Sequence, residues 1–226
     1  LRLEHLASTN ETVVYGLGEL HLRMLLERLQ AGYKFEVVTH PPRIAYRETI
    51  AQGAAAQYRH KKQSGGAGQF GEVHLRVEPL QRGAGFEFVD QVKGGAIPGQ
   101  FMPAVEKGVR EALAEGVIAG YPVQDIRVIV HDGKSHAVDS KEVAFVTAGK
   151  KAAQAAIREA APTVLEPVAR LTITVPDSAT GAVTGDLSSR RGLVSGTDTP
   201  RPGQVAITAQ VPMAELLDYQ NRLNAL

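Results

Sequence analysis

Residues 131–145 are His-Asp-Gly-Lys-Ser-His-Ala-Val-Asp-Ser-Lys-Glu-Val-Ala-Phe. This stretch is the most informative part of the sequence for predicting the fold. Its pattern is that of a strand end, a polar loop and a helix. Asp139 stands three residues before Glu142, which is the spacing of a capping box, and apolar residues follow at once. The loop at residues 134–136 is therefore predicted to project from two rigid elements, as binding loops commonly do.

The composition narrows the class of protein. The 226 residues are enough for one large domain or two to three small ones, and 43% hydrophobic residues suffice for buried cores. No apolar run is long enough to span a membrane and no signal-peptide pattern opens the chain, so we expect no membrane partner. The absence of cysteine excludes disulfides and thiolate metal sites and is typical of the cytosol. The expected location is therefore cytoplasmic.

The charge is uneven along the chain. The formal net charge of +1 gives no general argument for nucleic-acid binding. Residues 41–165, however, hold 16 Lys and Arg against 13 Asp and Glu, which gives +3, while the segments on either side are each at −1. The basic excess clusters at Arg59, Lys61, Lys62 and at Lys150 and Lys151.

The two outer segments both have the pattern of an incomplete α/β sandwich. In residues 1–40 the periodicity predicts strand, strand, helix and strand, at residues 2–7, 11–15, 19–30 and 35–38. In residues 166–226 it predicts strand, helix, strand, strand and helix, at residues 171–175, 180–192, 193–195, 205–211 and 213–226. Each pattern lacks elements, so we expect the chain to be part of a longer protein.

The middle segment, residues 41–165, is bounded by Pro41-Pro42 at its start and by Pro162 and Pro167 around its end. Its pattern predicts a pair of strands around a glycine-rich loop, another strand, a helix closed by glycine, a strand and a long helix. These lie at residues 44–80, 86–89, 105–116, 126–130 and 140–159. The fold class is therefore α+β with more than one domain.

The glycine-rich loop contains Gly66-Ala-Gly-Gln-Phe-Gly-Glu-Val73, which matches a nucleotide-binding pattern. A dinucleotide loop must open a helix, but Glu72 to Val77 has strand periodicity. A glycine-rich hairpin tip is the favoured interpretation. Its bare backbone can approach a phosphate chain closely while the basic residues before it neutralise charge.

No catalytic or metal site emerges from the motifs. Gly133-Lys-Ser135 imitates the end of a P-loop, but the glycine required five residues earlier is replaced by Val128. The histidines and aspartates of residues 131–139 fit no common metal spacing, and a polar loop is the favoured interpretation. We therefore expect no enzymatic activity, cofactor or metal in this segment of the protein.

Seven motifs in order resemble the C-terminal half of elongation factor G, the ribosomal translocase. They are Gly18-Glu-Leu-His-Leu22, Ala45-Tyr-Arg-Glu-Thr-Ile50, Gln63-Ser-Gly-Gly-Ala-Gly-Gln-Phe-Gly71, Pro103-Ala-Val-Glu-Lys-Gly108, Ala119-Gly-Tyr-Pro-Val123, Ser135-His-Ala-Val-Asp-Ser140 and Gly185-Asp-Leu-Ser-Ser-Arg-Arg-Gly192. The resemblance implies a partial domain III at residues 1–40, domain IV at 41–165 and domain V at 166–226 without its last strand. Domains III and V would be ferredoxin-like sandwiches, and domain IV an elongated α/β module with a left-handed βαβ crossover.

The resemblance also implies a function and a binding surface. Domain IV of the family reaches the decoding region, so tRNA, mRNA and small-subunit rRNA would be contacted by two tip loops at residues 63–71 and 131–140. The contact residues would be Lys61, Lys62, Gly66, Ala67, Gly68, Gln69, Lys134, Ser135 and His136. Domain V would meet the large-subunit stalk base and the GTPase-activating rRNA loop through Arg190 and Arg191.

The parent protein is expected to be a monomeric translational GTPase, with GTP and Mg²⁺ held in an N-terminal domain outside this chain. The tip departs from the family at Ala67, where arginine is usual, and at Ser135 and Ala137, where an aromatic residue and an acid are usual. These departures leave the first of two alternatives open, and the second is a separate competing interpretation. One is an elongation factor G-like paralogue in ribosome recycling or protection, and the other is a stand-alone RNA-binding module.

Overall fold

The computed structural model describes residues 1–7, 9–63 and 68–225. The chain forms two compact units. One comprises residues 46–165, and the other combines residues 1–45 with residues 166–226. The division into separate domains at residues 1–40 and 166–226 stays a prediction. The mixed α+β class is confirmed.

Unit 46–165 is built on a four-stranded sheet with the order β4-β5-β7-β6. The strands are β4 (Ala54–Lys62), β5 (Gln69–Pro79), β6 (Phe86–Asp90) and β7 (Ile126–Lys134). The hairpin β4–β5 and the pair β5–β7 are antiparallel, whereas β6 and β7 are parallel. The connection from β6 to β7 runs through helix α2 (Met102–Glu115) and is the expected βαβ crossover, whose left hand stays a prediction.

Two helices cover one face of this sheet. Helix α2 packs on α3 (Glu142–Glu159), and α3 packs on β4 and β5. The strands alternate, so Val73, Leu75 and Val77 of β5 point into the core while the side chains between them lie on the other, polar face. The pattern of apolar residues thus fixes which face of the hairpin meets the helices.

The two helices approach each other closely at a pair of glycines. A Cβ atom on Gly108 would collide with the Val146 carbonyl oxygen and lie 2.9 Å from the Lys150 nitrogen. A Cβ atom on Gly149 would lie 2.7 Å from the Val105 carbonyl oxygen. Backbone therefore packs directly on backbone here, and neither position has space for a side chain.

The unit begins and ends in a short two-stranded sheet. Strand β3 (Arg47–Ile50) pairs antiparallel with β8 (Pro162–Leu165), and Arg47 lies opposite Leu165. Glu48 of β3 is fully buried, and its carboxylate accepts hydrogen bonds from the backbone N–H groups of Val117, Ile118, Ala119 and Tyr121 at 2.6 to 3.2 Å. One side chain thus ties the start of the unit to the turn after α2.

The first 45 residues hold an antiparallel pair, β1 (Arg2–Leu6) and β2 (Glu11–Tyr15), and helix α1 (Glu19–Tyr33). A salt bridge joins Glu19 and Arg23, which lie four residues apart on this helix. The prediction of a strand at residues 35–38 was wrong, because the chain there has no regular structure. The helix also extends beyond its predicted end at residue 30 to Tyr33, and its C-cap residue Lys34 adopts a left-handed conformation with φ 60°.

Residues 166–226 form a three-stranded sheet with the order β10-β11-β9 and helix α4 (Thr180–Ser189). The strands are β9 (Val168–Pro176), β10 (Leu193–Arg201) and β11 (Gln204–Pro212). The prediction of a long C-terminal helix from Met213 was wrong. A 3-10 turn at Met213–Leu216 is followed by the short helix α5 (Tyr219–Leu223), since Asp218 interrupts the helical run.

Candidate nucleic-acid interface

The first predicted tip loop lies at the end of the β4–β5 hairpin. The register places Lys61 opposite Phe70 and Lys62 opposite Gln69, and both lysines are exposed. Gln69 is half-buried, and its Oε1 lies 3.1 Å from His60 Nε2. Residues 64–67, with Gly66 and Ala67 of the predicted contacts, lie outside the described residues.

The second loop is shorter than predicted. Strand β7 continues to Lys134, so the loop begins at Ser135 rather than at His131. The prediction of a capping box between Asp139 and Glu142 was wrong. Helix α3 has Lys141 at its N-cap and no side-chain capping bond, because the Asp139 carboxylate bonds to the other loop instead.

The two loops are joined into one surface. Asp139 Oδ1 accepts a hydrogen bond from the Gly68 N–H at 3.1 Å, and the Asp139 carbonyl accepts from the Phe70 N–H at 2.9 Å. The Ser140 hydroxyl donates to the Phe70 carbonyl at 3.2 Å. We call residues 61–63, 68–70 and 134–140 the tip. The two loops therefore lie together among these residues, whereas their contact with RNA stays a prediction.

His136 has a defined orientation within the tip. Its Nδ1 accepts hydrogen bonds from the backbone N–H groups of Val138 and Asp139 at 3.3 and 3.2 Å, and its own backbone N–H donates to Ser140 Oγ at 2.8 Å. An imidazole that accepts at Nδ1 carries its proton on Nε2 when neutral. The half-exposed ring therefore has a donor available to a partner.

The positive charge at the tip comes from lysines that form no ion pair among the described residues. Arg59 is bound by Glu72, and hydrogen bonds from Arg59 and His74 hold the pKa of the Glu72 carboxyl below its ordinary value. Within the described ranges, Lys61, Lys62 and Lys134 enter no ion pair. They are exposed and suited to neutralising phosphate.

Arg190 and Arg191 lie in a different setting. Arg190 donates to Asp186 and Asp218 and to the Glu215 carbonyl, and its guanidinium lies 5.1 Å from the Tyr219 ring centre. Burial raises the pKa of Asp186, but bonds from Arg222 and Arg190 outweigh it and hold that pKa below its ordinary value. The Arg190 side chain is only 17% exposed, so its hydrogen bonds mainly join residues within the fold.

Arg191 forms two hydrogen bonds with the Glu166 carboxylate and one with Glu215, and it remains 54% exposed. Its φ of 59° turns the chain after α4, so that the Gly192 N–H reaches the Leu187 carbonyl. The rRNA contact proposed for the arginine pair stays a prediction.

We expect Arg190→Ala to lower the melting temperature by roughly 3 to 6 °C. The largely buried Asp186 carboxylate is paired with Arg190 and Arg222 in the residues that the structure describes, and the substitution leaves it with Arg222. Arg201→Ala is the matched control, since Arg201 is exposed at the end of β10 and enters no ion pair among the described residues. Thermal unfolding followed by circular dichroism measures both. Equal melting temperatures for the two variants would contradict a structural role for Arg190.

Nucleotide and metal sites receive no support from the fold. The glycine-rich motif runs into β5 and not into a helix, as its periodicity predicted. In residues 1–7, 9–63 and 68–225, no three His, Asp or Glu side chains are grouped so as to hold a metal ion. No helix of the same residues is long and apolar enough to cross a membrane.

Family models match the chain in three consecutive segments. The model for elongation factor G, domain IV matches residues 42–161, which is more than half of the chain. The chain belongs to the elongation factor G family. The models for elongation factor G, domain III and for the elongation factor G C-terminus match residues 1–41 and 163–226. The resemblance seen in the motifs is thereby confirmed.

Known members of the elongation factor G family align along nearly the whole chain. An elongation factor G-like protein of Thermotoga maritima is 46% identical over 223 residues, covering 99% of this chain and 33% of that protein. Elongation factor G of Dehalococcoides mccartyi is 48% identical over 218 residues, covering 96% of this chain and 31% of that protein. This chain therefore spans about a third of the length of these relatives.

A solved structure has the same fold along this whole chain. A crystal structure from Thermus thermophilus matches with a TM-score of 0.88 at 40% identity. The match covers 100% of this chain and 33% of that chain. The tip thus belongs to the segment that matches elongation factor G domain IV, and the arginine pair to the segment that matches the elongation factor G C-terminus.

Proposed function

We propose that this chain is the C-terminal part of a translation elongation factor that promotes GTP-dependent translocation of tRNA and mRNA. Domain IV acts at the decoding region of the small ribosomal subunit. Membership of the elongation factor G family supports the general role in translation. The observation that carries the more specific role is the tip, in which two loops from different parts of the chain form one bonded surface.

The chemistry of the tip suits RNA whose sequence is not read. Three exposed lysines offer charge to phosphates, and the half-exposed His136 and Gln69 offer short polar groups. Shallow or single-stranded RNA presents 2′-hydroxyls and phosphates to such groups. Because tRNAs and codons vary from one step to the next, a translocase must bind RNA by shape and backbone.

The partners follow from the same proposal. Small-subunit rRNA, tRNA and mRNA meet the tip through the residues named above, with Gly66, Ala67 and Ser135 among them. The large-subunit stalk base and the GTPase-activating rRNA loop meet domain V near Arg190 and Arg191. The parent protein is a cytoplasmic, monomeric GTPase that binds GTP and Mg²⁺ outside the present segment.

The deciding experiment is single-round translocation on purified ribosomes with the intact gene product and GTP. Movement of tRNA and mRNA at a rate comparable with that of a known elongation factor G supports the proposal. Ribosome-stimulated GTP hydrolysis without movement contradicts it and supports a specialised paralogue.

We expect His136→Ala and Gln69→Ala to slow translocation by about tenfold each, which corresponds to the loss of one ordinary polar contact in the transition state. Gln57→Ala is the matched control, because Gln57 is an exposed glutamine of β4 that lies outside the tip. Translocation rate, GTP hydrolysis and melting temperature are measured together. A melting temperature lowered by several degrees, with GTP hydrolysis lost, would show that the two side chains are structural instead.

A second candidate function is a paralogue in ribosome recycling or protection. It is favoured by Ser135 and Ala137, which remove an aromatic ring and an acid from the tip, and by the relative named only as elongation factor G-like. A stand-alone RNA-binding module is the third candidate. A P-loop motif in the intact reading frame upstream of Leu1 would exclude it.

A further inference from the structure

Asp139 is the residue through which the two loops of the tip meet. Its side chain accepts from Gly68 of the hairpin, and its carbonyl accepts from Phe70 on the same hairpin. Its own N–H donates to His136 Nδ1 within the second loop. A single residue therefore contacts both the strand that carries Gln69 and the imidazole of His136.

Gly68 is shaped to receive this carboxylate. It is buried, and a Cβ atom there would lie 2.8 Å from Asp139 Cγ and 2.9 Å from Oδ1. Its φ lies outside the left-handed region, so close approach and not backbone conformation explains the glycine. The absence of a side chain at Gly68 thus leaves the space that the Asp139 carboxylate occupies.

We propose that Asp139 is a positioning residue of the tip, which fixes the distance between Gln69 and His136 by joining Gly68 to the second loop. This rests on the proposed function, because it assigns a role within the same RNA-contacting surface. Loops that are held in one geometry before they bind lose less conformational entropy when RNA arrives. Without the contact, the side chains would remain present but would no longer be presented together.

The test compares four variants of the intact gene product. Asp139→Ala removes the acceptor, and Gly68→Ala blocks the same contact from the hairpin. Asp139→Asn keeps a side-chain oxygen that can accept from the Gly68 N–H. Asp90→Ala is the matched control, since Asp90 is an exposed aspartate of the same unit that accepts from the Val92 N–H at 2.9 Å.

Two readouts are needed. Amide hydrogen exchange at Gly68 should accelerate at least about tenfold in Asp139→Ala, because the N–H loses its protein acceptor. Single-round translocation should slow about tenfold or more in both Asp139→Ala and Gly68→Ala, while GTP hydrolysis and the melting temperature stay near wild type. Asp139→Asn should recover to within about twofold, and Asp90→Ala should leave the rate unchanged.

Unchanged exchange at Gly68 in Asp139→Ala would overturn the proposed joining of the loops. Faster exchange with an unchanged translocation rate, or failure of Asp139→Asn to recover, would overturn the positioning role. If the wild-type protein itself moves no tRNA, the proposed function fails. The exchange data from the same samples then decide by themselves whether Asp139 joins the two loops.

Discussion

Gly108→Ala is expected to destabilise unit 46–165 by about 3 kcal/mol or more, at the upper end of the cost of overpacking a core. The added methyl would collide with the Val146 carbonyl oxygen and crowd the Lys150 nitrogen. Both are backbone atoms of α3, so no side-chain rotation relieves the clash. The two helices must separate, and the core beneath them, including Phe145, loses contacts. Urea unfolding followed by circular dichroism and by amide exchange in α2 and α3 measures the loss.

Two control variants isolate the packing effect. Gly185→Ala places the same methyl inside helix α4, where nothing lies within 4 Å, and is expected to be neutral or to stabilise by about 0.5 kcal/mol. Gly99→Ala makes the same change in unit 46–165, again with open space around it. If Gly108→Ala unfolds at the same urea concentration as Gly99→Ala, the close approach of the helices is not as described.

Glu48→Ala is the second variant with a large expected effect, a loss of about 3 to 5 kcal/mol. The substitution removes a fully buried carboxylate that is the acceptor for four backbone N–H groups at once. Glu87→Ala is the matched control, because Glu87 is a half-exposed glutamate whose single side-chain partner in the described part of the chain is Arg127. If Glu48→Ala and Glu87→Ala unfold at the same urea concentration, the hydrogen bonds of the Glu48 carboxylate do not stabilise the unit as proposed.

The same carboxylate makes stability depend on pH. Burial raises the pKa of Glu48, but the four N–H bonds outweigh burial and hold the folded-state pKa below the ordinary value of 4.5. Because the folded state binds the proton less readily than the unfolded state, the contribution is fully present above pH 4.5. It is lost as the pH falls through the lower folded pKa. Glu48→Gln should therefore flatten the fall in stability below pH 4.5 while it lowers stability at neutral pH.

The periodicity of the sequence was sufficient to place most elements of the fold. Strand alternation located β5 through Val73 and Leu75, and the glycine at residue 116 ended α2 as expected, with φ 73°. These signals are local, since they depend on residues that are neighbours along one strand or helix. The resemblance to elongation factor G, and not the periodicity, implied that residues 63–71 and 131–140 are two tip loops of one domain.

Contacts between distant segments were not predictable from such signals. Asp139 has the sequence spacing of a helix cap, yet its carboxylate accepts a hydrogen bond from the N–H of Gly68, 71 residues away in the sequence. In the sequence, Glu48 resembles an ordinary polar residue of an edge strand. Only the fold shows that its carboxylate accepts hydrogen bonds from the turn after α2. The error at residues 35–38 has a similar origin, because short apolar runs become strands only when a partner strand is available.

The pairing of β3 with β8 has a mechanical consequence. Residues 46 and 165 are the two points at which covalent chain enters and leaves the unit, and Arg47 lies directly opposite Leu165. Neighbouring strands are about 4.8 Å apart, so the two chain connections of the unit lie side by side. The unit is therefore attached at two points and not at one. A single attachment permits free rotation about its own axis, whereas a double one resists torsion.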